Sequence, residues 1–236
     1  YADRIYQINL AIAGIAIGTV VLPQLSKLIE KENTSEIVSI QNKALELSLF
    51  LSIPATVALF IAATPIVSAL FGYGSFSETS VENSALALFY FAFGLPAFSL
   101  IKVFSSFFFA RHDTKTPFYI SLISVLLNIL ISVLFFQKLG FIIIPIATSI
   151  SSWFNAITLY IFSKKKDFFI FNDIFLYRFP RILISSLIMG LFFYFLLNLL
   201  SDKLIYSENL KFIYLLLSIL ATLICYVVIS IFTKAF

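Results

Sequence analysis

Apolar runs of about 20 residues or more recur along this chain, and they limit its fold more strongly than any other feature. Polar interruptions separate seven of them, at residues 4–26, 44–71, 85–110, 117–136, 141–162, 181–200 and 211–233. A helix of about 20 apolar residues crosses the hydrocarbon of a bilayer. The runs are too long for barrel strands and do not alternate apolar with polar residues. The sequence therefore predicts an all-α, polytopic transmembrane helix bundle with seven spans.

Composition supports this fold class and excludes several others. Only 12% of the residues are charged and the mean hydropathy is +1.03, whereas soluble domains carry about 25% charged residues. These values exclude a soluble enzyme, a disulfide scaffold and a disordered tail. The single cysteine, Cys225, lies inside an apolar run, so the sequence predicts no disulfide framework and no thiolate metal site. No cofactor is expected.

Lysine and arginine residues are distributed unevenly among the connections. The loops after the first, third and fifth runs and the C-terminus carry 11 of them, and the loops after the second, fourth and sixth runs carry 3. By the positive-inside rule, the first set and the C-terminus face the cytoplasm. Because the basic residues are spread over many loops, no nucleic acid is expected as a partner. The start at Tyr1, without a leader, predicts a fragment.

Charge and aromatic content divide the chain into three predicted parts. Residues 1–162 hold five spans, residues 163–180 form a basic and aromatic linker, and residues 181–236 hold two spans without charge in their apolar cores. We expect the aromatic rings of the linker to lie at headgroup depth and the last two spans to face lipid. The charged segment 30–42 is expected to form a short helix on the membrane surface before the second span.

Two cations stand out because they lie within or beside predicted spans, where an unpaired charge costs at least about 2.5 kcal/mol. Arg4 follows Asp3, and an arginine fork is suited to bidentate capture of a carboxylate or phosphate; the alternative is an anchor at the outer interface. Lys102 lies nine residues before Arg111. Two interpretations stay open for Lys102, a snorkelling side chain and a cation that faces a cavity.

Small residues and prolines inside the runs predict close packing and bending. Gly14 and Gly18 form a GxxxG pair that allows close helix contact. Pro54 and Pro96 each remove a backbone hydrogen bond and can kink their helices, which favours a hinged bundle. Two further prolines have the same expected effect, Pro65 and Pro145.

Polar residues elsewhere give no catalytic pattern. Asn128 and Asn155 lie inside apolar runs and are expected to form hydrogen bonds between helices, with cavity lining as the alternative. The one histidine, His112, lies in a charged loop, and no His/Cys spacing or glycine-rich phosphate loop is present. The sequence therefore predicts a protein that is not an enzyme.

Two stretches carry a resemblance to a known family. The first is YADR at residues 1–4, which leads through Gly14 and Gly18 to the Leu-Pro pair at residues 22–23; the second is FFARHDTKTP at residues 108–117, which follows Lys102. Together they resemble the C-terminal half of the MurJ/MviN lipid II flippases, within the multidrug/oligosaccharidyl-lipid/polysaccharide exporter superfamily. Phe107–Phe109 depart from the family, in which Gly-Phe-Tyr is frequent at that place.

The resemblance implies a larger protein of about fourteen helices, with two lobes around a cationic cavity and two extra helices that form a groove for a lipid tail. This chain would hold the second lobe and the extra pair, and its partners would be lipid II, membrane lipids and the missing N-terminal lobe. Arg4, with Asp3 and Lys102 as further candidates, would contact the headgroup during alternating access in the bacterial inner membrane. Four residues would form a cytoplasmic motif: Arg111, Asp113, Lys115 and Pro117.

Three alternatives remain open from the sequence. A flippase for another polyprenyl-diphosphate-linked oligosaccharide, of the O-antigen or teichoic-acid type, would share the fold and differ in substrate. A membrane enzyme acting on polyprenyl phosphates would need clustered carboxylates or a His/Arg constellation, and the acids here are scattered. A membrane scaffold would tolerate neutralisation of Arg4 and Lys102 together, whereas a flippase would not.

Overall fold

The computed structural model of this chain describes residue 4 and residues 20–235. Within residues 20–235 the chain forms seven α-helices and no β-strand, which confirms the predicted all-α class. The helices are α1 (Leu22–Glu30), α2 (Thr34–Phe71), α3 (Glu78–Phe109), α4 (Lys115–Leu139), α5 (Ile143–Lys165), α6 (Asp173–Leu199) and α7 (Lys211–Thr233). Single 3₁₀ turns at Gly140–Ile142 and Ser201–Lys203 follow α4 and α6.

Five continuous helical stretches in the described part are long and apolar enough to cross a membrane. One of them, Lys115–Lys165, contains both α4 and α5. These two helices fold back on each other as a hairpin, as two hydrogen bonds between them show. Asn128 on α4 donates to Thr148 Oγ1 on α5 over 3.1 Å, and Asn155 on α5 donates to Ser121 Oγ on α4 over 3.4 Å. The first expected span lies largely outside the described residues, so the count of seven spans stays a prediction.

Helix α2 is longer than expected and includes the segment that was predicted to form a separate surface helix. It begins at Thr34, where the side chain of Asn33 accepts a hydrogen bond from the backbone N–H of Glu36. Helical geometry continues through Pro54 and breaks at Ala62, where φ is −112° and ψ is 19°. The ring of Pro65 accounts for this break, because proline clashes with the carbonyl four residues earlier. The prediction of a separate helix at residues 30–42 is therefore wrong, since residues 34–42 are the first turns of α2.

Two clusters of buried apolar side chains hold the helices together, one toward each end. The basic end carries the connections α1–α2, α3–α4 and α5–α6 and the C-terminus; the distal end carries the other three connections. At the distal end, residues of α2 and α3 pack with the last turns of α6, as in the contact group of Val67, Leu88, Leu95 and Phe193. At the basic end the first half of α2 packs with the end of α3, as in the group of Leu45, Val103, Phe107 and Phe108.

The linker between α5 and α6 enters the basic-end core instead of lying over it. Phe169 and Phe175 are 3% and 5% exposed. The ring of Phe169 lies 5.5 Å from that of Phe107 in a stacked arrangement, and 5.9 Å from that of Phe104. These two rings of the linker therefore belong to the buried cluster at the basic end, and their depth in the membrane stays a prediction.

Helices α6 and α7 form a second hairpin, which packs on α2. At Gly190 of α6 the backbone comes so near to α2 that a Cβ atom would lie 2.5 Å from Val57 Cγ1. Every fourth or third residue of α7 turns inward and most of these are polar, in the series Lys211, Leu215, Ser218, Thr222, Tyr226 and Ser230. The hydroxyl groups of this series donate to backbone carbonyls, so α7 keeps a purely apolar exterior.

Candidate functional site

Lys102 is the candidate cation whose surroundings the structure describes best. It lies on α3, seven residues before the end of that helix, and its side chain is exposed. It forms no hydrogen bond or ion pair with any residue between 20 and 235. Among the described residues the ammonium group of Lys102 therefore has no partner, a position that fits both interpretations of Lys102, snorkelling and cavity lining.

The residues expected near Lys102 fall at the edge of the described chain. Arg4 is helical and exposed. Asp3, Gly14 and Gly18 lie outside the described residues, so the GxxxG contact and the Asp3–Arg4 pair stay predictions. The grouping of Arg4 with Lys102 in one cavity also stays a prediction.

Pro96, a proposed hinge, lies buried in α3 at the contact with α5. One to two turns before it, α5 donates side-chain hydrogen bonds to two carbonyls of α3: Ser149 Oγ to Tyr90 over 2.6 Å and Trp153 Nε1 to Phe93 over 2.9 Å. Gly94 permits this approach, because a Cβ there would lie 2.9 Å from Ser149 Oγ. The α3–α5 contact beside Pro96 is therefore tied by hydrogen bonds.

The motif at the start of α4 forms a closed turn at the basic end. Asp113 accepts hydrogen bonds from the backbone N–H of Thr116 over 3.0 Å and from its hydroxyl over 2.8 Å. Lys166, which directly follows α5, donates to Asp113 over 2.7 Å and to Thr116 Oγ1 over 3.0 Å. Pro117 is buried in the first turn of α4, where its missing N–H needs no partner. Lys115 is exposed.

The contacts of this turn lower the pKa of the Asp113 carboxyl. Partial burial alone would raise the pKa of its carboxyl, but the hydrogen bonds from Lys166 and Thr116 and the charge of Lys166 outweigh that effect and hold the pKa at about 2. Asp113 is therefore ionised at neutral pH and its charge is neutralised by Lys166. The motif residue Asp113 fastens the base of the α4–α5 hairpin.

Arg111 joins the same region to the linker. Its Nη1 donates to the carbonyl of Phe107 over 3.0 Å, and its guanidinium lies 4.5 Å from the ring centroid of Phe168. Burial lowers the pKa of Arg111 from its usual value, but an arginine remains charged. A pocket of about 110 Å³ opens beside Arg111; its walls come from α2 (Thr34, Ile37, Val38 and Gln41) and from the linker (Asp167 to Ile170).

Sequence reasoning missed the polar residues of α2 that hold the linker. Gln41 Nε2 donates to the carbonyl of Phe168 over 2.7 Å, and Asn42 Nδ2 donates to that of Ile170 over 2.8 Å. Glu46, with a side chain 5% exposed, accepts from Arg178 of α6 over 2.6 Å. The signal was three polar residues in the third and fourth turns of an apolar helix, but a solvent-facing helix end gives the same pattern.

Sequence reasoning also missed the role of Lys211, which had served only as an orientation signal. It lies at the distal end and is 1% exposed. Its Nζ donates to the carbonyls of Gly72 over 2.8 Å and Tyr206 over 2.6 Å. No sequence signal distinguishes this lysine from an ordinary anchor at a helix end, because its partners are backbone atoms.

Within residue 4 and residues 20–235, no three His, Cys, Asp or Glu side chains come together. In the same part of the chain, the structure offers a cation on α3 that has no partner among the described residues, and a helix, α7, whose exposed side chains between residues 212 and 232 are apolar.

Comparison with known proteins connects this geometry to one family. The family model described as Lipid II flippase MurJ matches residues 1–216. A relative from Rhizobium meliloti, described as a probable lipid II flippase MurJ, is 39% identical over 80% of this chain and 36% of its own length. The lipid II flippase MurJ of Burkholderia cenocepacia is 30% identical over 72% of this chain and 33% of its own length.

A solved structure agrees with the sequence relatives. Lipid II flippase MurJ in an inward closed conformation superposes with a TM-score of 0.78 at 30% identity, over 99% of this chain and 46% of that structure. The chain therefore spans between a third and a half of the length of the relatives that it matches. From the family match over residues 1–216 and the agreement of the folds, the chain belongs to the lipid II flippase MurJ family.

Proposed function

We propose that this chain is the C-terminal portion of a flippase that moves lipid II, the lipid-linked peptidoglycan precursor, from the cytoplasmic to the outer leaflet of the bacterial inner membrane. The observation that carries the proposal is the fold match with a lipid II flippase over 99% of the chain. In this proposal residues 1–162 belong to the second lobe, residues 163–180 link it to the hairpin, and residues 181–236 border the lipid tail.

The mechanism needs binding and movement without covalent chemistry, so the protein acts as a transporter and not as an enzyme. Arg4 pairs with the diphosphate of the headgroup, with Asp3 beside it, and Lys102 adds a second positive charge. The lobes rock between inward and outward states while the tail stays in lipid along α6 and α7. Two observations support this division of roles: the apolar exterior of α7, and the ammonium of Lys102, which has no partner among residues 20–235.

The decisive experiment is lipid binding to the full-length protein, measured by native mass spectrometry. Lipid II is compared with undecaprenyl diphosphate and with another polyprenyl-diphosphate-linked oligosaccharide. We expect preference for lipid II, and a loss of about 10- to 100-fold in affinity for Arg4→Ala, since a hydrogen bond to a charged group contributes about 1.5–3 kcal/mol. Lys203→Ala, at an exposed distal lysine, is the control and should bind normally.

Each other outcome has a definite meaning. Preference for the other oligosaccharide would replace lipid II as substrate and keep the flippase. Absence of binding to all three lipids by folded protein would contradict transport and favour a scaffold. Full binding by Arg4→Lys would remove the bidentate role of Arg4, because a lysine cannot reproduce the arginine fork.

The proposed orientation places the basic end and the C-terminus in the cytoplasm. It is tested with single cysteines in a protein whose native cysteines are replaced. A cysteine at Glu78, exposed at the distal end, should react with an impermeant thiol reagent in cells, and one at Lys165, exposed at the basic end, should not. The opposite labelling pattern would reverse the orientation.

A further inference from the structure

Lys211 is buried at the distal end of the bundle, where it contacts two connections between helices. The ammonium group of Lys211 has two carbonyl acceptors, Gly72 in the α2–α3 turn and Tyr206 in the α6–α7 connection. The ring centroids of Tyr73 and Tyr206 lie 4.4 Å and 4.6 Å from Nζ. We call this arrangement of Lys211 with residues 72, 73 and 206 the lysine cage.

The cage replaces the water that a charged lysine would otherwise need. A buried ammonium without partners is strongly unfavourable. Carbonyl dipoles and the negative faces of aromatic rings compensate for that cost, although the structure places no carboxylate on Lys211 within the described residues. The partners come from two separate connections, so the charge is satisfied only while both connections stay together.

Neighbouring contacts make the two connections fit closely. The hydroxyl of Tyr206 donates to the carbonyl of Phe76 in the α2–α3 turn over 2.6 Å. At Gly72 a Cβ would lie 3.1 Å from Cε2 of Tyr206, and 2.6 Å from the carbonyl oxygen of Ser68. The α6–α7 connection is therefore seated directly on the turn that ends α2.

The hairpin is fastened to α2 along the rest of its length as well. Near the basic end Glu46 pairs with Arg178 over 2.6 Å, and the hydroxyl of Tyr226 donates to the carbonyl of Phe50 over 2.8 Å. Gly190 lets α6 approach Val57 in the middle. A hinge between the hairpin and α2 would have to break polar contacts at both ends.

We infer that Lys211 is a positioning residue that locks the α6–α7 hairpin to the α2–α3 turn, so that these four helices move as one rigid body. The groove beside the hairpin then travels with the lobe and does not open or close against it. This inference concerns motion within the chain and holds whichever lipid the protein carries, so its failure leaves the proposed substrate untouched.

Spin-label distances in the full-length protein, reconstituted in lipid nanodiscs, test the inference. One label pair spans the distal end, at Glu78 of α3 and Ile213 of α7. A second pair spans the basic end, at Lys43 of α2 and Phe232 of α7; all four side chains are exposed. For the wild-type cage we expect one narrow distance in each pair, unchanged when lipid II is added. A distal distance that shifts with lipid II would overturn the inference.

Substitutions isolate the contribution of Lys211. Lys211→Met keeps the length of the side chain and removes its donors, so we expect a second, longer distance in the distal pair and none in the basic-end pair. Lys203→Met, the same change at an exposed lysine of the same connection, is the control and should retain the narrow distance. Folded Lys211→Met protein with an unchanged distal distance would refute the positioning role; if that variant does not fold, the wild-type distances with and without lipid II decide.

Discussion

The α4–α5 and α6–α7 hairpins have similar lengths and apolar compositions, but they are held in opposite ways. The charged contact of α4–α5 is the Asp113–Lys166 pair, in which Asp113 lies two residues before the hairpin and Lys166 directly after it; the side chain of Lys166 is 41% exposed. The charged contacts of α6–α7 reach other elements. Glu46 of α2, with a side chain 5% exposed, pairs with Arg178 of α6, with a side chain 36% exposed, and Lys211 of α7 binds Gly72 in the α2–α3 turn. The element that a charged contact reaches therefore decides whether it fixes a hairpin to the rest of the bundle or only closes the hairpin on itself.

The two hairpins also differ in how many side chains of their first helices, α4 and α6, are buried. Helix α4 buries three residues, Pro117, Ile120 and Ser124, and among the described elements it contacts mainly α5. Helix α6 buries eight residues against its neighbours. Among the helices between residues 20 and 235, α4 is therefore the outlying one, and α6 belongs to the same packed unit as α2.

The largest expected effect breaks the buried pair. Glu46→Ala leaves the Arg178 charge beside a largely buried site, so we expect a loss of about 2–3 kcal/mol in the free energy of unfolding, somewhat reduced because Arg178 is partly exposed. Titration with SDS measures this loss. Glu36→Ala, an exposed acid on the same helix, should change little. A loss no greater than that of Glu36→Ala would contradict the contrast between the hairpins.

A second substitution separates the hairpin from α2 sterically. Gly190→Val places atoms where Val57 Cγ1 already lies, and overpacking of this kind costs about 1–3 kcal/mol. Leu191→Val, the next position of α6, puts a valine on the exposed face of the helix and should change stability by less than about 0.5 kcal/mol. The same SDS titration compares them, and equal losses would mean that the α6–α2 contact adjusts freely.

A smaller effect is expected inside the α4–α5 hairpin. Asn128 donates to Thr148 and to Ser151 over 3.1 Å and 3.3 Å, and hydrogen bonds between membrane helices contribute about 0.6 kcal/mol on average. Asn128→Leu should therefore cost about 1 kcal/mol or less. A double-mutant cycle with Ser151→Ala should give a coupling near that average. Thr158→Val, whose hydroxyl bonds only within α5, supplies the control.

The smallest effect concerns the exposed pair and depends on pH. Because the pKa of Asp113 is lowered to about 2, its contribution is complete above the unfolded value near 4 and is lost as the pH falls from about 4 to about 2. The contribution is at most about 1 kcal/mol at an exposed site. The stability of Asp113→Asn should lack this pH-dependent component, measured against Lys164→Met. An equal pH dependence in both variants would remove Asp113 as its source.

The length and spacing of the apolar runs were enough to predict the bundle, because the hydrocarbon thickness permits few other solutions. The hydrogen bonds of Asn128 and Asn155 between helices were also predictable, since an amide in an apolar run needs a partner. The start of α2 was not, because residues 34–43 are mostly polar, and hydropathy does not separate a helix that leaves the membrane from a surface segment.

The contacts that fix the α6–α7 hairpin escaped sequence reasoning for a different reason. Glu46 and Arg178 are 132 residues apart, and Lys211 binds a carbonyl 139 residues away. A backbone carbonyl has no identity in a sequence. From the sequence, Lys211 was therefore one of three basic residues in distal loops. The burial of Phe169 was not predictable either, because it depends on α2, which binds the carbonyls of the residues on either side, Phe168 and Ile170.

The linker that enters the core has a consequence for synthesis in the cell. Gln41, Asn42 and Glu46 emerge from the ribosome early, and their partners between Phe168 and Arg178 emerge more than 120 residues later. During that interval the start of α2 lacks the side chains and carbonyls that bury it in the finished fold. Gln41 and Glu46 therefore reach their observed hydrogen bonds only after α3, α4 and α5 have been synthesised.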